Sequence, residues 1–346
     1  MPEPIGLSRN QVWNDLQDPD PFVQPPARSA AAGAAQAPPP SAPSTAPVPN
    51  PWLARATSGG ASAAQVRPGA SPAQAFARSL AQVRAGLDAF ATSLCPTVHT
   101  ANGDVTVQMP FHGPGGVQAP APGSQELREL LSASVSLGMS GSALHAVLLG
   151  HGTPQQLHDL AQGLADMGCV PSDARPGDVR LREMMERHGL GIGTTAYVRQ
   201  AFLAATGLTA TQAHFGSTAM PLQGFARIAT SRAQTGDVVV LGRGTQGTSF
   251  RAMVYDAHSA GANELAEFSS LVQAERMPAS SGRVTVLAVD SSFGPDGDCD
   301  SPGVSRTVWY HDEATNVWAT MGSPTLVTRG MPFGRPLEGI YRFVGP

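Results

Sequence analysis

The residues with the clearest chemical potential stand at the start of a predicted helix, where Thr194 and Thr195 follow Gly191 and Gly193. The first turn of a helix offers unpaired N–H groups and the positive end of the helix dipole. Small residues before that turn let a substrate or another backbone come close. Many hydrolases place a nucleophile at such a helix start. This position is therefore the first candidate for a nucleophile, although it carries hydroxyl groups and no thiol.

A predicted helix and a series of predicted strands position this candidate. The helix spans about 194–205, where large apolar side chains recur at helical spacing. Downstream, apolar runs separated by Gly, Asp and Pro turns predict strands at 237–241, 250–256, 284–290, 305–310, 316–320 and 339–344. A helix followed by a meander of antiparallel strands predicts an α+β fold.

The residues upstream predict a helical subdomain over 71–185. Two of its helices begin with a capping sequence, Ser-Pro-Ala-Gln at Ser71 and Thr-Pro-Gln-Gln at Thr153. The remaining helices are predicted at 125–137, 141–149 and 179–187. These helices are short, amphipathic and poor in charge, so we expect them to pack together and against the C-terminal part.

Residues 1–70 predict a disordered region. The segment is rich in Ala, Pro and Ser and has too few large apolar side chains to offset the entropy of ordering. A plain linker is one interpretation. The other is a leader for a needle-type secretion apparatus, in which the stretch Val12–Leu16 could dock on a partner or a secretion chaperone.

The charge composition excludes several classes of function. The formal net charge is −4, which gives no general basic field for nucleic acid. All 22 basic residues are arginine, and the lack of lysine excludes a Walker A lysine, a kinase lysine and a Schiff base. A GC-rich genome would explain it, and so would selection against ubiquitination in a host cytosol. No apolar run reaches the ~20 residues of a membrane span.

We expect neither a cofactor nor a metal. The three cysteines are far apart and form no CxxC pair, so a structural zinc site is not predicted. The sequence at Gly242–Gly247 matches GxGxxG, but a strand pattern follows it where a dinucleotide site needs a helix. The acidic run Asp296–Asp300 lacks the glycine and glutamate of a calcium loop.

The order of elements over 186–346 resembles the NlpC/P60 peptidases, which are papain-like cell-wall hydrolases. The resemblance rests on the small-residue helix start, on Gly236-Asp237-Val-Val-Val and on the two strands that follow. It implies that the cysteine position falls on Thr194, the histidine position on Arg251 and the third polar position on Asp290. A threonine without a base is a poor nucleophile, and an arginine stays protonated. The resemblance therefore implies a papain-like domain that has lost catalysis.

Three functions remain open. The first is a secreted, effector-like protein that binds a host or envelope protein, located in the host cell cytoplasm. The second is an active amide hydrolase, peptidase or acyl transferase on peptidoglycan or a host protein, in which His214 or His258 reaches the site or Cys169 is the nucleophile. The third is a structural protein of an envelope or a phage particle.

Overall fold

The computed structural model describes residues 79–113, 115–209, 224–242, 250–293, 303–321, 326–330, 332 and 335–345. The chain divides into two units, 1–65 and 66–346, and every described residue lies in the second. The expected disordered leader at 1–70 and the predicted helix start at Ser71 fall outside this part of the chain. None of the described helices is long and apolar enough to cross a membrane.

Helices precede an antiparallel sheet, so the predicted α+β class is confirmed. The helices are α1 Leu80–Ser93, α2 Gln125–Ser136, α3 Gly141–Leu148, α4 Pro154–Asp166, α5 Gly177–Arg187, α6 Thr194–Thr206 and α7 Ala262–Ala274. The strands are β1 Thr97–Thr100, β2 Gly103–Thr106, β3 Phe225–Ile228, β4 Val238–Leu241, β5 Phe250–Ser259, β6 Val284–Phe293, β7 Gly303–Asp312, β8 Val317–Met321, β9 Leu326–Arg329 and β10 Leu337–Phe343.

Side-chain caps fix the starts of the first four helices. The Ser79 hydroxyl of α1 and the Thr153 hydroxyl of α4 each accept a hydrogen bond from the backbone N–H three residues on. The side-chain oxygen of the glutamine there accepts a hydrogen bond from the backbone N–H of the cap residue. Ser124 and Ser140 cap α2 and α3 by the same hydroxyl contact. These caps satisfy N–H groups that the first helical turn leaves without an intrahelical partner. The predicted cap at Thr153 is thus confirmed.

The main sheet has eight strands in the order β3-β10-β4-β5-β6-β7-β8-β9, and neighbouring strands in it pair antiparallel. From β4 to β9 the strands follow the chain as a meander. β10 departs from that order because it lies between β3 and β4. A separate hairpin is formed by β1 and β2.

The two faces of the sheet are buried in different ways. One face carries an apolar cluster with inner residues from six strands: Val239, Leu241, Ala252, Val254, Leu287, Val289, Phe293, Trp309, Trp318 and Ile340. Helix α6 contacts β5 and β6, and α7 packs against β8. Successive side chains of a strand point to opposite faces, so Asp290, which follows Val289 of the cluster, lies on the other face. Ser292 lies on that face too and bonds to the segment before α6, so α6 covers the face that carries Asp290.

The sheet curls, and it brings elements near its ends together. Ser231, in the connection after β3, donates from its backbone N–H and its hydroxyl to Glu313 in the turn between β7 and β8. Five strand steps of about 4.8 Å would separate β3 from β7 in a flat sheet. The strong right-handed twist of antiparallel sheets provides such curvature.

The Gly-Asp pair before β4 has a structural role. Asp237 is buried and accepts two hydrogen bonds of 2.9 Å from Arg342 on β10. Its carboxylate also accepts from the backbone N–H of Gln234. Gly236 has a φ of 92°, a conformation that favours glycine. The pair thus makes the turn into β4 and ties that turn to the neighbouring strand.

Several elements were not predicted. Helix α7 falls in a region where the sequence predicted only a strand meander. The Glu264 side chain, at the third position of α7, accepts a hydrogen bond from the Gly261 N–H, which is a typical contact at a helix start. The short strands β3 and β9 were also missed. The predicted helices from 125 onward and the six predicted strands are confirmed within a few residues.

Helices α1 and α6 approach each other closely at Gly86. A Cβ at this position would lie 2.6 Å from the Cα of Ala205, a backbone atom that cannot move alone. We therefore expect Gly86→Ala to lower the free energy of unfolding by about 1–3 kcal/mol, measured by chemical denaturation. Gly163→Ala is the matched control, because a Cβ there would make an ordinary 3.4 Å contact with Ala133. That variant should gain up to about 1 kcal/mol, and equal effects of both changes would contradict the close approach.

Candidate functional site

The start of α6 is packed against the rest of its own chain. The N–H of Gly193, the residue that caps α6, donates to the carbonyl of Gly150 at 2.9 Å. A Cβ on Gly191 would lie 2.9 Å from the carbonyl oxygen of Pro110. The small residues before Thr194 therefore allow the backbone of neighbouring segments to come close, so their presence needs no substrate.

Ile192 anchors this helix start to two neighbouring segments. Its N–H donates to Pro110, and its carbonyl accepts from the N–H of His112 at 3.1 Å and from the Ser292 hydroxyl at 2.6 Å. Ser292 lies on β6 two residues after Asp290. The start of α6 is thereby fixed beside the strand that carries the third predicted polar position. Thr194 itself is half-buried.

The structure places Arg251 and Asp290 on neighbouring strands and on the same face of the sheet. Asp290 is directly opposite Met253, two residues from Arg251 on β5. Both side chains are almost fully buried, with 1% and 2% exposure. Burial lowers the pKa of Arg251, and the negative charge of Glu338 on β10 counteracts that effect. Arg251 and Asp290 thus lie on neighbouring strands that α6 contacts.

Asp290 is committed to an ion pair. Its two carboxylate oxygens accept from the Nε and a terminal nitrogen of Arg306 at 2.6 and 2.8 Å. Burial raises the pKa of Asp290, and the hydrogen bonds from Arg306 oppose the rise. A carboxylate held on both oxygens by a guanidinium is well fitted to neutralise a buried cation. This geometry orients Arg306, and it leaves Asp290 poorly placed to orient a catalytic imidazole.

The same arginine links Asp290 to α1. Arg306 donates to Asp88 at 3.1 Å and stacks over the ring of Tyr255 at 3.1 Å from the ring centroid. The Tyr255 hydroxyl donates to the other oxygen of Asp88 at 3.0 Å. Four elements, α1, β5, β6 and β7, therefore meet at one guanidinium. We call Asp88, Tyr255, Asp290 and Arg306 the Arg306 network.

The predicted alternative residues are placed as follows. His258 lies near the end of β5, half exposed, with its Nε2 2.9 Å from Glu264 on α7 and its Nδ1 3.4 Å from Asp256. His214 falls outside the described residues. Cys169 follows α4 in the helical part of the fold.

His112 is a histidine near the helix start that the sequence did not single out. Its backbone N–H bonds to Ile192, and its ring lies 2.7 Å from where a Cβ on Gly150 would stand. Burial lowers the pKa of His112 to about 4, against a hydrogen bond from the ring to the backbone of Leu148. A base with so low a pKa is weak at neutral pH. The parallel bridge between Phe111 and Ile192 brings His112 next to the start of α6, and no local sequence pattern predicts that contact.

Cys169 belongs to a second group of polar side chains. One donor atom each from Glu129, Cys169 and His188 lies within 4.8 Å of the others. The His188 ring is buried, with its Nδ1 2.7 Å from the carbonyl of Met184 and its Nε2 2.8 Å from Glu129. We call these three residues the Glu-Cys-His cluster. Sequence spacing could not reveal it, because the three residues follow no local motif.

The Glu-Cys-His cluster is not arranged for thiol catalysis. Both ring nitrogens of His188 already have partners, so neither is available to accept a proton from the thiol. Burial and the negative charge of Glu129 raise the pKa of Cys169 to about 11. A reactive cysteine instead needs surroundings that favour its thiolate.

Comparison with known proteins adds no relative: no protein-family model, no curated protein and no solved structure matches the chain. The NlpC/P60 resemblance therefore rests on the residues of the chain itself.

The Arg306 network predicts that Asp290 acts in stability. Asp290→Asn removes the buried anion of the Arg306 guanidinium and leaves it only the more exposed Asp88. We therefore expect the free energy of unfolding to fall by about 3 kcal/mol in denaturant titrations. Asp88→Asn is the matched control, since it removes a more exposed carboxylate, 41% accessible, from the same arginine. Its loss should stay below about 1 kcal/mol. An Asp290→Asn protein of unchanged stability would contradict this role.

His112 predicts a dependence of stability on pH. Its pKa is lower in the folded protein than the reference 6.5, so the unfolded chain binds the proton more tightly. Stability should therefore be lost as the pH falls from about 6.5 to about 4, by about 1–2 kcal/mol from this residue. His112→Gln should flatten that part of the profile, measured by denaturation at several pH values. A profile as steep in His112→Gln as in the wild type would contradict the assignment.

Proposed function

We propose that this chain is a secreted, effector-like protein whose NlpC/P60-like domain has lost catalysis and acts by binding a host or envelope protein. The observation that carries the proposal is the chemistry of the three positions that the resemblance assigns to catalysis. Thr194 replaces the thiol, Arg251 replaces the base, and both oxygens of Asp290 bind Arg306. A hydroxyl nucleophile needs a neighbouring base, and these residues supply none.

The neighbouring groups support the same proposal. His112, beside the helix start, has a pKa of about 4 and its ring hydrogen-bonds the backbone of Leu148. Gly191 and Gly193 are in close contact with Pro110, His112 and Gly150. These contacts bring the protein's own backbone against the helix start.

The composition supports a role in a host cell. The chain has arginine but no lysine, so it offers no side-chain amine for ubiquitination. Residues 1–70 have the Ala/Pro/Ser composition of an unfolded secretion leader. Both features suit delivery into a host cytoplasm.

The loss of catalysis is tested with the full chain, Thr194→Ala and Thr195→Ala. The wild type is expected to release no product from peptidoglycan fragments or from a panel of amide and ester substrates. Proximity labelling in host cells should mark the same proteins with all three chains, because Thr194 has no chemical role. Turnover by the wild type that is lost in Thr194→Ala and kept in Thr195→Ala would establish an enzyme and overturn the proposal.

The secretion half of the proposal is tested separately. A reporter enzyme that is active only in a host cytosol is fused to residues 1–70 and expressed in a bacterium with a needle-type apparatus. We expect reporter activity in infected cells, and none from a strain whose apparatus is disabled. Equal signals from the two strains would contradict the proposed route and leave the test of catalysis unaffected.

A further inference from the structure

The Glu-Cys-His cluster joins three helices of the helical part of the fold. Glu129 lies in the middle of α2, Cys169 follows the end of α4, and His188 ends α5. The donor set consists of one carboxylate, one thiol and one imidazole. Those are the three side-chain ligand types that divalent zinc takes in proteins.

Two glycines in the left-handed backbone conformation help to position the cysteine and the histidine. Gly168, with a φ of 76°, ends α4 directly before Cys169, and Gly189, with a φ of 74°, follows His188 at the end of α5. The N–H of Cys169 donates a hydrogen bond of 3.0 Å to the carbonyl of Leu164 on α4. Helix C-termini carry the negative end of the helix dipole, which favours a cation. Two such ends meet at this cluster.

The orientation of His188 is that of a metal ligand. Its Nδ1–H donates to the carbonyl of Met184 at 2.7 Å, which fixes the ring and directs Nε2 to the cluster. An outer hydrogen bond of this kind is typical of histidines that bind metals. The 2.8 Å contact between Nε2 and Glu129 shows that two of the three donor atoms already point to the same place.

The distances agree with a zinc-sized ion. Zinc bonds of about 2.0–2.3 Å place tetrahedral ligand atoms about 3.3–3.8 Å apart. The donor atoms lie within 4.8 Å of one another, so shifts of about 1 Å in side chains complete the geometry. The Glu129 side chain is 26% exposed, so solvent reaches the cluster and water is at hand as a fourth ligand. Calcium and magnesium fit poorly, because they require mostly oxygen ligands.

We propose that Glu129, Cys169 and His188 bind a divalent cation of the zinc class, with water as the fourth ligand. The ion fastens the ends of α4 and α5 to the middle of α2. On binding, the metal takes the place of the contact between His188 and Glu129 and displaces the thiol proton of Cys169, which leaves for solvent. This site is independent of the start of α6 and of the function proposed above.

The test uses the full chain, stripped with a chelator and titrated with Co²⁺ alone and then with Zn²⁺ in competition. We expect one cobalt per chain, a thiolate-to-cobalt charge-transfer band, and loss of that band as zinc is added. Zinc should also raise the thermal midpoint. Cys169→Ser should remove the charge-transfer band and weaken zinc binding by at least about 100-fold. Cys95→Ser, a change at another free and half-buried cysteine, should leave both unchanged.

A second pair of variants distinguishes the loss of a zinc ligand from a loss of folding. Glu129→Gln keeps the size of the side chain and should weaken zinc binding at least about 10-fold, with circular dichroism unchanged. Glu126→Gln, on the same helix, should bind zinc as the wild type does. Three outcomes would overturn the proposal: no uptake of either metal at micromolar concentration, a charge-transfer band that survives Cys169→Ser, and equal loss of zinc binding in Glu126→Gln and Glu129→Gln.

Discussion

The ion pair between Arg306 and Asp290 is the contact on which the arrangement of α1, α6 and the sheet depends. Charges this deeply buried are tolerated only when they are paired and hydrogen-bonded, so the guanidinium must find its partners. Asp88 supplies a second carboxylate from α1, and Tyr255 covers the cation with its ring. These contacts hold α1 over the sheet. Helix α6 is then held between them, with Gly86 against Ala205 and Phe90 edge-on to Tyr197.

That constraint bears on the proposed loss of catalysis. In a working peptidase, a polar residue near the start of the central helix must stay free to orient a base. Here the carboxylate on β6 neutralises an arginine on β7, and the strand face beside it carries a second arginine, Arg251. The proposed function thus assigns to packing and charge balance the positions that a related enzyme would use for chemistry.

The parts of the fold that sequence could predict are those set by local signals. Capping residues such as Thr153 and valine-rich runs such as 238–241 specify their elements almost alone. Helix α7 escaped prediction because it lies between two strong strands, in a segment where a meander of strands was expected. The candidate sites escaped for another reason. The bond from Arg306 to Asp88 and the Glu-Cys-His cluster join residues far apart in the chain, and only tertiary packing brings them together.

The position of β10 has a kinetic consequence. Strands β3 and β4 are neighbours along the chain, yet residues 337–343 lie between them and bond to both. Until those residues arrive, β4 has no partner on that side and β3 cannot join the main sheet. Long-range pairing of this kind slows folding. The edge of the sheet formed by β3 and β10 must therefore wait for a segment synthesised about a hundred residues after β4. Until then the edge of β4 is exposed to other chains or to a chaperone.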